Sequence, residues 1–219
     1  MADIADPERA LALVYAPAAR REALAALWRL DERLGEVLRL AHEPLIRAIR
    51  LAWWRESLEK LDAGIASPEP LLVEVTNMIL PLGIGGAELA AIEAGWAALA
   101  DDVDAAAVLA HGERRGRPLF TLAARLLSGE AASDIADAGE GWALVDILPR
   151  LEDGEARAAA IARAEACLAP LGGRYWPKPL RALGMLTVLA QRDLRRGDVR
   201  QPGAPGRLAR ALWLSICGR

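Results

Sequence analysis

Residues 49–61 read IRLAWWRESLEKL. Each residue of an α-helix turns the side-chain direction by roughly 100°. Trp53 and Trp54 therefore point apart, and no single neighbour can pack both. Trp54 shares a stripe with Leu51, Leu58 and Leu61, which lie three, four and seven residues away. Trp53 falls with Ile46, Ile49 and Ala52 on a second apolar flank. A helix apolar on two flanks is buried between neighbours or borders a cavity. Arg50 stands one turn before both indoles, within reach of a cation–π contact. The spacing predicts a central helix, with Arg50, Trp53 and Trp54 as candidates for a cavity wall.

Working outward, helix signals recur along the chain and strand signals do not. Asp6-Pro7-Glu8 is a cap followed by proline at the first helical position, predicting a short helix to about Tyr15. Pro17 restarts the chain, and a long helix is expected from about Ala18 to Leu40, with Leu24, Leu27, Leu34 and Leu38 as its stripe. His42-Glu43-Pro44 opens the tryptophan helix, which stops near Gly64. Further helices are expected from Ser67-Pro68-Glu69 to Pro81, from Gly86 to about Ala100, and from Asp102 to Ser128. The last of these is bent at Gly112 and broken near Gly116 and Pro118. Then follow Ala131 to Leu148, Asp153 to Leu171, Pro177 to Arg196 and Gly206 to Cys217. This is an all-α protein of about ten helices with short connections, read as one domain over residues 1–219. Residues 197–207, GDVRQPGAPGR, are the best candidate for a flexible segment.

Composition narrows the function classes. Of 219 residues, 53% are hydrophobic and 26% charged, so a packed core is expected. The net charge of −3 lacks the electrostatic footprint of a nucleic-acid binder. Of 27 basic residues only Lys60 and Lys178 are lysine, which leaves 25 arginines. Cys167, Cys217, His42 and His111 are the only cysteines and histidines, and their spacing builds no zinc motif. Both cysteines read as buried free thiols. The N-terminus MADIADPERA lacks a signal-peptide pattern. The longest uncharged run, Val75 to Ala87, is too short to span a membrane and is interrupted by Pro81. A cytoplasmic protein without a transmembrane segment is the expectation, with peripheral membrane contact left open.

Several charged clusters carry candidate chemistry. Asp31 lies on the apolar side of its helix, where a carboxylate is costly without a partner. It either lines an interhelical cavity or pairs with an arginine from a neighbouring helix. Glu32 and Glu36 stand four apart among Arg29, Arg33 and Arg39, as in a solvated ladder. DDVD at 101–104 has the look of a metal-diphosphate cluster, but Asp102 is well placed as a helix cap. HGERRGRPLF at 111–120 gathers Arg114, Arg115 and Arg117 beside glycine, either as a phosphate-binding loop or as a solvated kink. GIGG at 83–86 follows a helix, so it reads as a turn and not as a nucleotide fingerprint.

RLAWWRESL, together with REALAALWRLDERLGEV before it, resembles the squalene/phytoene synthase family. GRPLFTLAARLLSG, AGEGWALVDILPR and LRALGMLTVLAQRDLRR resemble later family segments in the same order. The resemblance spans most of the chain. It implies the all-helical isoprenoid-synthase fold, a cavity for prenyl chains, and two acidic motifs that hold Mg²⁺ and the substrate diphosphate. The first motif should fall near positions 35, 36 and 39, where this chain has Gly35, Glu36 and Arg39. The second should follow Asp146-Ile147-Leu148-Pro149, near 150, 153 and 154, where it has Arg150, Asp153 and Gly154. Each motif keeps about one acid and gains an arginine, which repels Mg²⁺. The pattern is closer to a non-synthase branch that includes a respiratory complex I assembly factor.

The resemblance therefore implies a catalytically degenerate member that binds an isoprenoid, lipid-like or other apolar ligand, or a protein partner. No cofactor is expected. Asp31, Glu32, Glu36 and Asp146 are the acids expected to face the cavity. One alternative is a prenyl-diphosphate transferase with an altered site, which would require Mg²⁺. The other is a helical assembly scaffold.

Overall fold

The structure is a computed structural model that describes residues 4–65, 67–129, 132–197 and 205–218. Among these it is all-helical, with nine α-helices of nine residues or more, three shorter ones and no strand. In chain order they are α1 (Pro7–Tyr15), α2 (Arg21–Leu40), α3 (Pro44–Leu61), α4 (Pro70–Met78), α5 (Gly86–Ala90) and α6 (Glu93–Ala97). There follow α7 (Ala105–His111), α8 (Arg117–Ser128), α9 (Ser133–Ile147), α10 (Glu155–Leu168), α11 (Arg181–Arg196) and α12 (Pro205–Cys217). Residues 198–204 of the expected flexible segment lie outside the described residues. No single helix is long and apolar enough to cross a membrane among the described residues.

Local chemistry sets most boundaries. The Asp6 carboxylate accepts from the backbone N–H groups of Glu8 and Arg9, satisfying donors that the first turn of α1 leaves unpaired. Prolines stand in the first turn of α1, α3 and α4, where the missing N–H costs nothing. Three expectations are corrected. The cap before α7 is Asp104, whose carboxylate accepts from Ala107 N–H at 2.7 Å; Asp102 precedes the helix. The helix expected from Gly86 to Ala100 is two short ones, α5 and α6, meeting at Ala91–Ile92. Cys167 is buried as expected, but Cys217 is exposed.

The break expected near Gly116 and Pro118 is not found where α7 joins α8. The sequence GERRG, Gly112–Gly116, forms a π-turn that carries one helix into the next without a break. A π-turn inserts an extra residue and redirects the side chains that follow it. Here it turns Arg115 inward while Glu113 and Arg114 stay exposed. The turn packs directly on α9. Gly116 and Gly139 face one another so closely that a Cβ on either would overlap the carbonyl oxygen of the other. This backbone-to-backbone crossing brings the GERRG turn against the middle of α9, one and two turns before Asp146.

The core is continuous and large side chains dominate it: Trp28, Trp176, Phe120, Leu24, Leu27, Leu30 and Leu34 of α2, and Leu51 and Leu58 of α3 are fully buried. α2 crosses the molecule and contacts α1, α3, α4, α6 and α8. Gly116→Ala should lower unfolding stability by about 1–3 kcal/mol, the usual cost of overpacking. Urea denaturation of the variant against the parent would measure this, and an unchanged midpoint would mean that the crossing is not tight.

Candidate functional site

Asp31 is the centre of the candidate site. It is completely buried on α2, and its two oxygens are saturated by charged and neutral donors. Arg115 from the π-turn binds it with two parallel contacts, Nε to Oδ1 at 2.9 Å and Nη2 to Oδ2 at 2.8 Å. Arg9 from α1 reaches Oδ2 at 2.8 Å. The Trp96 indole N–H from α6 donates to Oδ1 at 2.9 Å. Arg115 then extends to the opposite wall, where Nη1 donates to Asp146 Oδ2 on α9 at 3.0 Å. One guanidinium therefore bridges two carboxylates on facing helices.

Around the Arg115 guanidinium further groups complete the bridge. His111 Nδ1 lies 2.8 Å from the carbonyl of Gly95, and its Nε2 lies 3.2 Å from Arg115 Nη1. Pairing Nδ1–H with the carbonyl leaves Nε2 as an acceptor for the arginine. The Arg115 guanidinium lies over Trp96 and Trp142, 4.2 and 4.8 Å from the ring centroids. Arg9 lies over Trp142 at 4.9 Å and Trp28 at 5.8 Å. Its Nε and Nη1 have no hydrogen-bond acceptor among the described residues. Gly35 belongs to the same design. A Cβ there would sit 2.8 Å from Trp96 Cη2, so the bare backbone makes room for the indole that donates to Asp31.

The protonation states follow from burial and charge together. Burial alone would raise the Asp31 pKa, but Arg115 and Arg9 outweigh it and hold the carboxyl at about 2. For Arg115 burial acts to lower the pKa, yet Asp31 and Asp146 raise it further, so it stays protonated. Burial and then the adjacent Arg115 charge lower His111 to about 3, so its ring is neutral at physiological pH.

Beside the bridge lies a cavity of about 310 Å³. Arg9, Arg115, Asp146 and Trp96 form its inner end; Arg39 and Arg150 stand at its rim; Leu38, Ile147 and Pro7 supply apolar wall. The N-terminal segment closes one side. It is tied down by Glu32, whose carboxylate accepts from Ala5 N–H and Asp6 N–H at 3.1 Å each.

The structure brings together Asp31, Glu32, Asp146 and Arg115. Glu36 lies elsewhere, pairing with Arg33 at 3.0 Å and Arg39 at 3.5 Å. The three arginines of the 111–120 segment are separated: Arg114 is exposed, Arg115 is buried between carboxylates, and Arg117 pairs with Asp137 and Glu140. They do not form one loop for phosphate. Trp54 packs in the core with Leu51, Leu58 and Leu61, as its spacing predicts. The second flank of α3 is corrected: Trp53 is 48% exposed and Ile49 56% exposed. Arg50, Trp53 and Trp54 line an outer groove, not the central cavity, and the two indoles meet edge to face at 5.2 Å. No cation–π contact from Arg50 is seen among the described residues. The sequence reading missed Arg9, Trp96, His111 and Trp142. The His-x-x-x-Arg spacing of 111 and 115 was a visible helical pair; the others carry no local signal.

The residues present do not fit the Mg²⁺ cluster that the family resemblance implies. Of the motif positions, Glu36 pairs with Arg33 and Arg39 and Asp153 with Arg157, and the buried Asp31 and Asp146 nearby already accept from arginine or indole donors. No group of three or more His, Cys, Asp or Glu is placed to hold a metal ion among the described residues. Comparisons with known protein families, with curated proteins and with solved structures found no match to this chain.

Two outcomes test the site. Arg115→Met leaves Asp31 buried with a diminished counter-charge and should cost about 3–5 kcal/mol of stability, part of which Asp31→Asn restores in the double variant. Urea titration of the three variants reads both effects; additive losses would show that the residues do not act as a pair. The pH dependence tests His111. Its folded pKa of about 3 lies below the unfolded value of 6.5, so its contribution is complete above pH 6.5 and declines as pH falls toward 3. The protein should lose about 2 kcal/mol between pH 7 and pH 5, and His111→Gln should flatten that window.

Proposed function

We propose that the protein is a non-catalytic binding protein of the squalene/phytoene synthase kind, which takes an amphipathic anion in the cavity beside Arg115. The observation that carries this reading is the Asp31–Arg115–Asp146 bridge. Ionising an allylic diphosphate requires divalent metal to neutralise charge developing on the leaving group. In this chain the carboxylates on facing helices serve a monovalent guanidinium instead. Arg115 is held by its contacts to both aspartates, and it offers no open coordination position.

The cavity suits binding better than chemistry. Its volume lies at the lower end of small-molecule sites, which run from about 300 to 1,000 Å³. Arg9, Arg39 and Arg150 supply cationic donors, and Arg9 carries two with no acceptor. Leu38, Ile147 and Trp96 supply an apolar wall. A phosphate or diphosphate head with a short apolar chain matches both features. The competing transferase reading needs a metal cluster, for which the motif positions keep only Glu36 and Asp153. The scaffold reading rests on an exposed apolar face, which is a separate feature of the surface.

Calorimetric titration with farnesyl and geranylgeranyl diphosphate, with Mg²⁺ or with EDTA, tests the proposal. Binding should persist in EDTA, and no condensed prenyl product should form. The double variant Arg39→Ala/Arg150→Ala should weaken binding roughly tenfold, the size of one lost hydrogen bond to a charged group. Metal-dependent product formation would restore the transferase reading. Failure of both diphosphates and of farnesol to bind would favour the scaffold.

A further inference from the structure

The charges are not spread evenly along the chain. Residues 174–219 hold nine of the 25 arginines, one lysine and only two acids, Asp193 and Asp198, a net of +8. Residues 1–173 therefore carry −11, so the total of −3 conceals a basic segment on an acidic remainder. An asymmetry of this size between parts of one chain points to an anionic partner for the basic part.

The fold gathers that segment onto one side. α11 and α12 pack together and run in opposite directions: Gly206 at the head of α12 lies against Arg192 late in α11, and Trp176, before α11, donates its N–H to the Gly218 carbonyl just past α12 at 2.6 Å. Arg207, in the first turn of α12, is buried between Glu8 of α1 and Asp193 of α11. α12 is thus fastened at both ends. With Arg207 and Leu214 turned inward, another stripe faces out: Gly206, Ala209, Trp213 and Cys217, three and four residues apart, are exposed. Trp213 is 57% exposed, and Tyr175, whose ring lies against Gly218, is 54% exposed.

The positive charge of this face survives a count that includes its neighbours. Eight basic residues stand in the described parts of residues 174–218, against Asp193 among them and Glu8, Asp134 and Glu165 of adjacent helices, a net of +4. Glu8 and Asp193 are engaged by Arg207, Asp134 by Arg174, and Glu165 borders the same groove as Arg195. Arg192, Arg196 and Arg210 have no carboxylate partner among the described residues. Arg192 and Arg196 lie one turn apart on α11, and Arg210 stands three residues before Trp213 on α12.

We propose that the α11–α12 face seats the protein on an anionic lipid surface. Trp213 and Tyr175 take the headgroup level, where a ring with an apolar body and a polar tip is accommodated, and Arg192, Arg196 and Arg210 meet lipid phosphates. The stripe stands outward on a helix and so presents a convex surface, which suits a plane of headgroups; a nucleic-acid strand is held in a groove that tracks its backbone. The acidic remainder is repelled by the same surface, so the molecule seats one way up.

Vesicle co-sedimentation of the full chain tests this. The protein should sediment with phosphatidylcholine vesicles containing phosphatidylglycerol and far less with phosphatidylcholine alone, and added salt should weaken the association. Arg192→Gln/Arg196→Gln should lower partition roughly tenfold or more, since each basic side chain near such a surface is worth about fivefold. Trp213→Ser should also lower it, with the far-ultraviolet spectrum unchanged. Arg33→Gln/Arg114→Gln, which removes the same charge from α2 and the π-turn, should bind as the parent does. The proposal is overturned if the chain ignores anionic vesicles, or if the Arg33/Arg114 variant loses as much as the Arg192/Arg196 variant. Retardation of a short DNA duplex without vesicle binding would overturn it in favour of nucleic acid. Salt-sensitive dimerisation that Arg192→Gln/Arg196→Gln abolishes, again without vesicle binding, would overturn it in favour of a second copy. None of these results depends on whether the central cavity binds a ligand.

Discussion

A guanidinium without solvent access forces the rest of the molecule into place. Arg115 sits where no water reaches it, and so does Asp31. Taking two charges out of water costs several kcal/mol each, and only well-aligned contacts offset that. The contacts come from five places: α1 through Arg9, α2 through Asp31, α6 through Trp96, the π-turn through Arg115, and α9 through Asp146. A shift in any one leaves a donor or acceptor unmet in a low dielectric, where the penalty is greatest. The apolar core supplies most of the burial, but oily side chains tolerate several packings. The charge network tolerates few. We regard it as the element that selects one helix arrangement among those the core would permit.

The same constraint explains local oddities that look unrelated. An ordinary α-helix through 105–128 would present Arg115 in a different direction; the π-turn supplies the missing rotation. Gly116 and Gly139 let the turn approach α9 closely enough for Arg115 to reach Asp146. Gly35 clears the space for Trp96. His111, kept neutral, accepts from Arg115 without adding a third positive charge. Each departure from routine helix chemistry is a local cost accepted at one site.

Much of the fold was legible because it depends on local signals. Asp6-Pro7 marks the start of α1 as read, and the leucine spacings of α2 and α3 identify their buried stripes. The capping residue before α7 was misplaced because several aspartates stand together at 101–104 and any of them has the right chemistry. The site was less legible. Asp31 was visible as a carboxylate on an apolar stripe, with an arginine partner among its two readings. Its actual partners lie 22 residues before it and 84 residues after it, distances over which pattern carries no information. Arginine itself was uninformative, since 25 of them conceal the two that are buried at the centre. A π-turn has no sequence signature that separates it from a kink.

Trp53 and Trp54 show how one helix serves two environments. Trp54 faces inward with the leucines, and its burial needs no further account. Trp53 is held edge-on against it, so its position is set from within even though half of it is exposed. Exposed apolar area forfeits roughly 25 cal/mol per Å² that burial would recover. α2 links this surface to the interior. Asp31, Gly35 and Leu38 turn toward the central site, and Arg33, Glu36, Val37 and Leu40 turn toward the groove, two stripes of one helix at three- and four-residue spacing. The charge network that fixes α2 therefore also fixes one wall of the outer groove. An apolar corner anchored this firmly cannot collapse to hide itself, which leaves covering by another surface as the way to recover the forfeited burial.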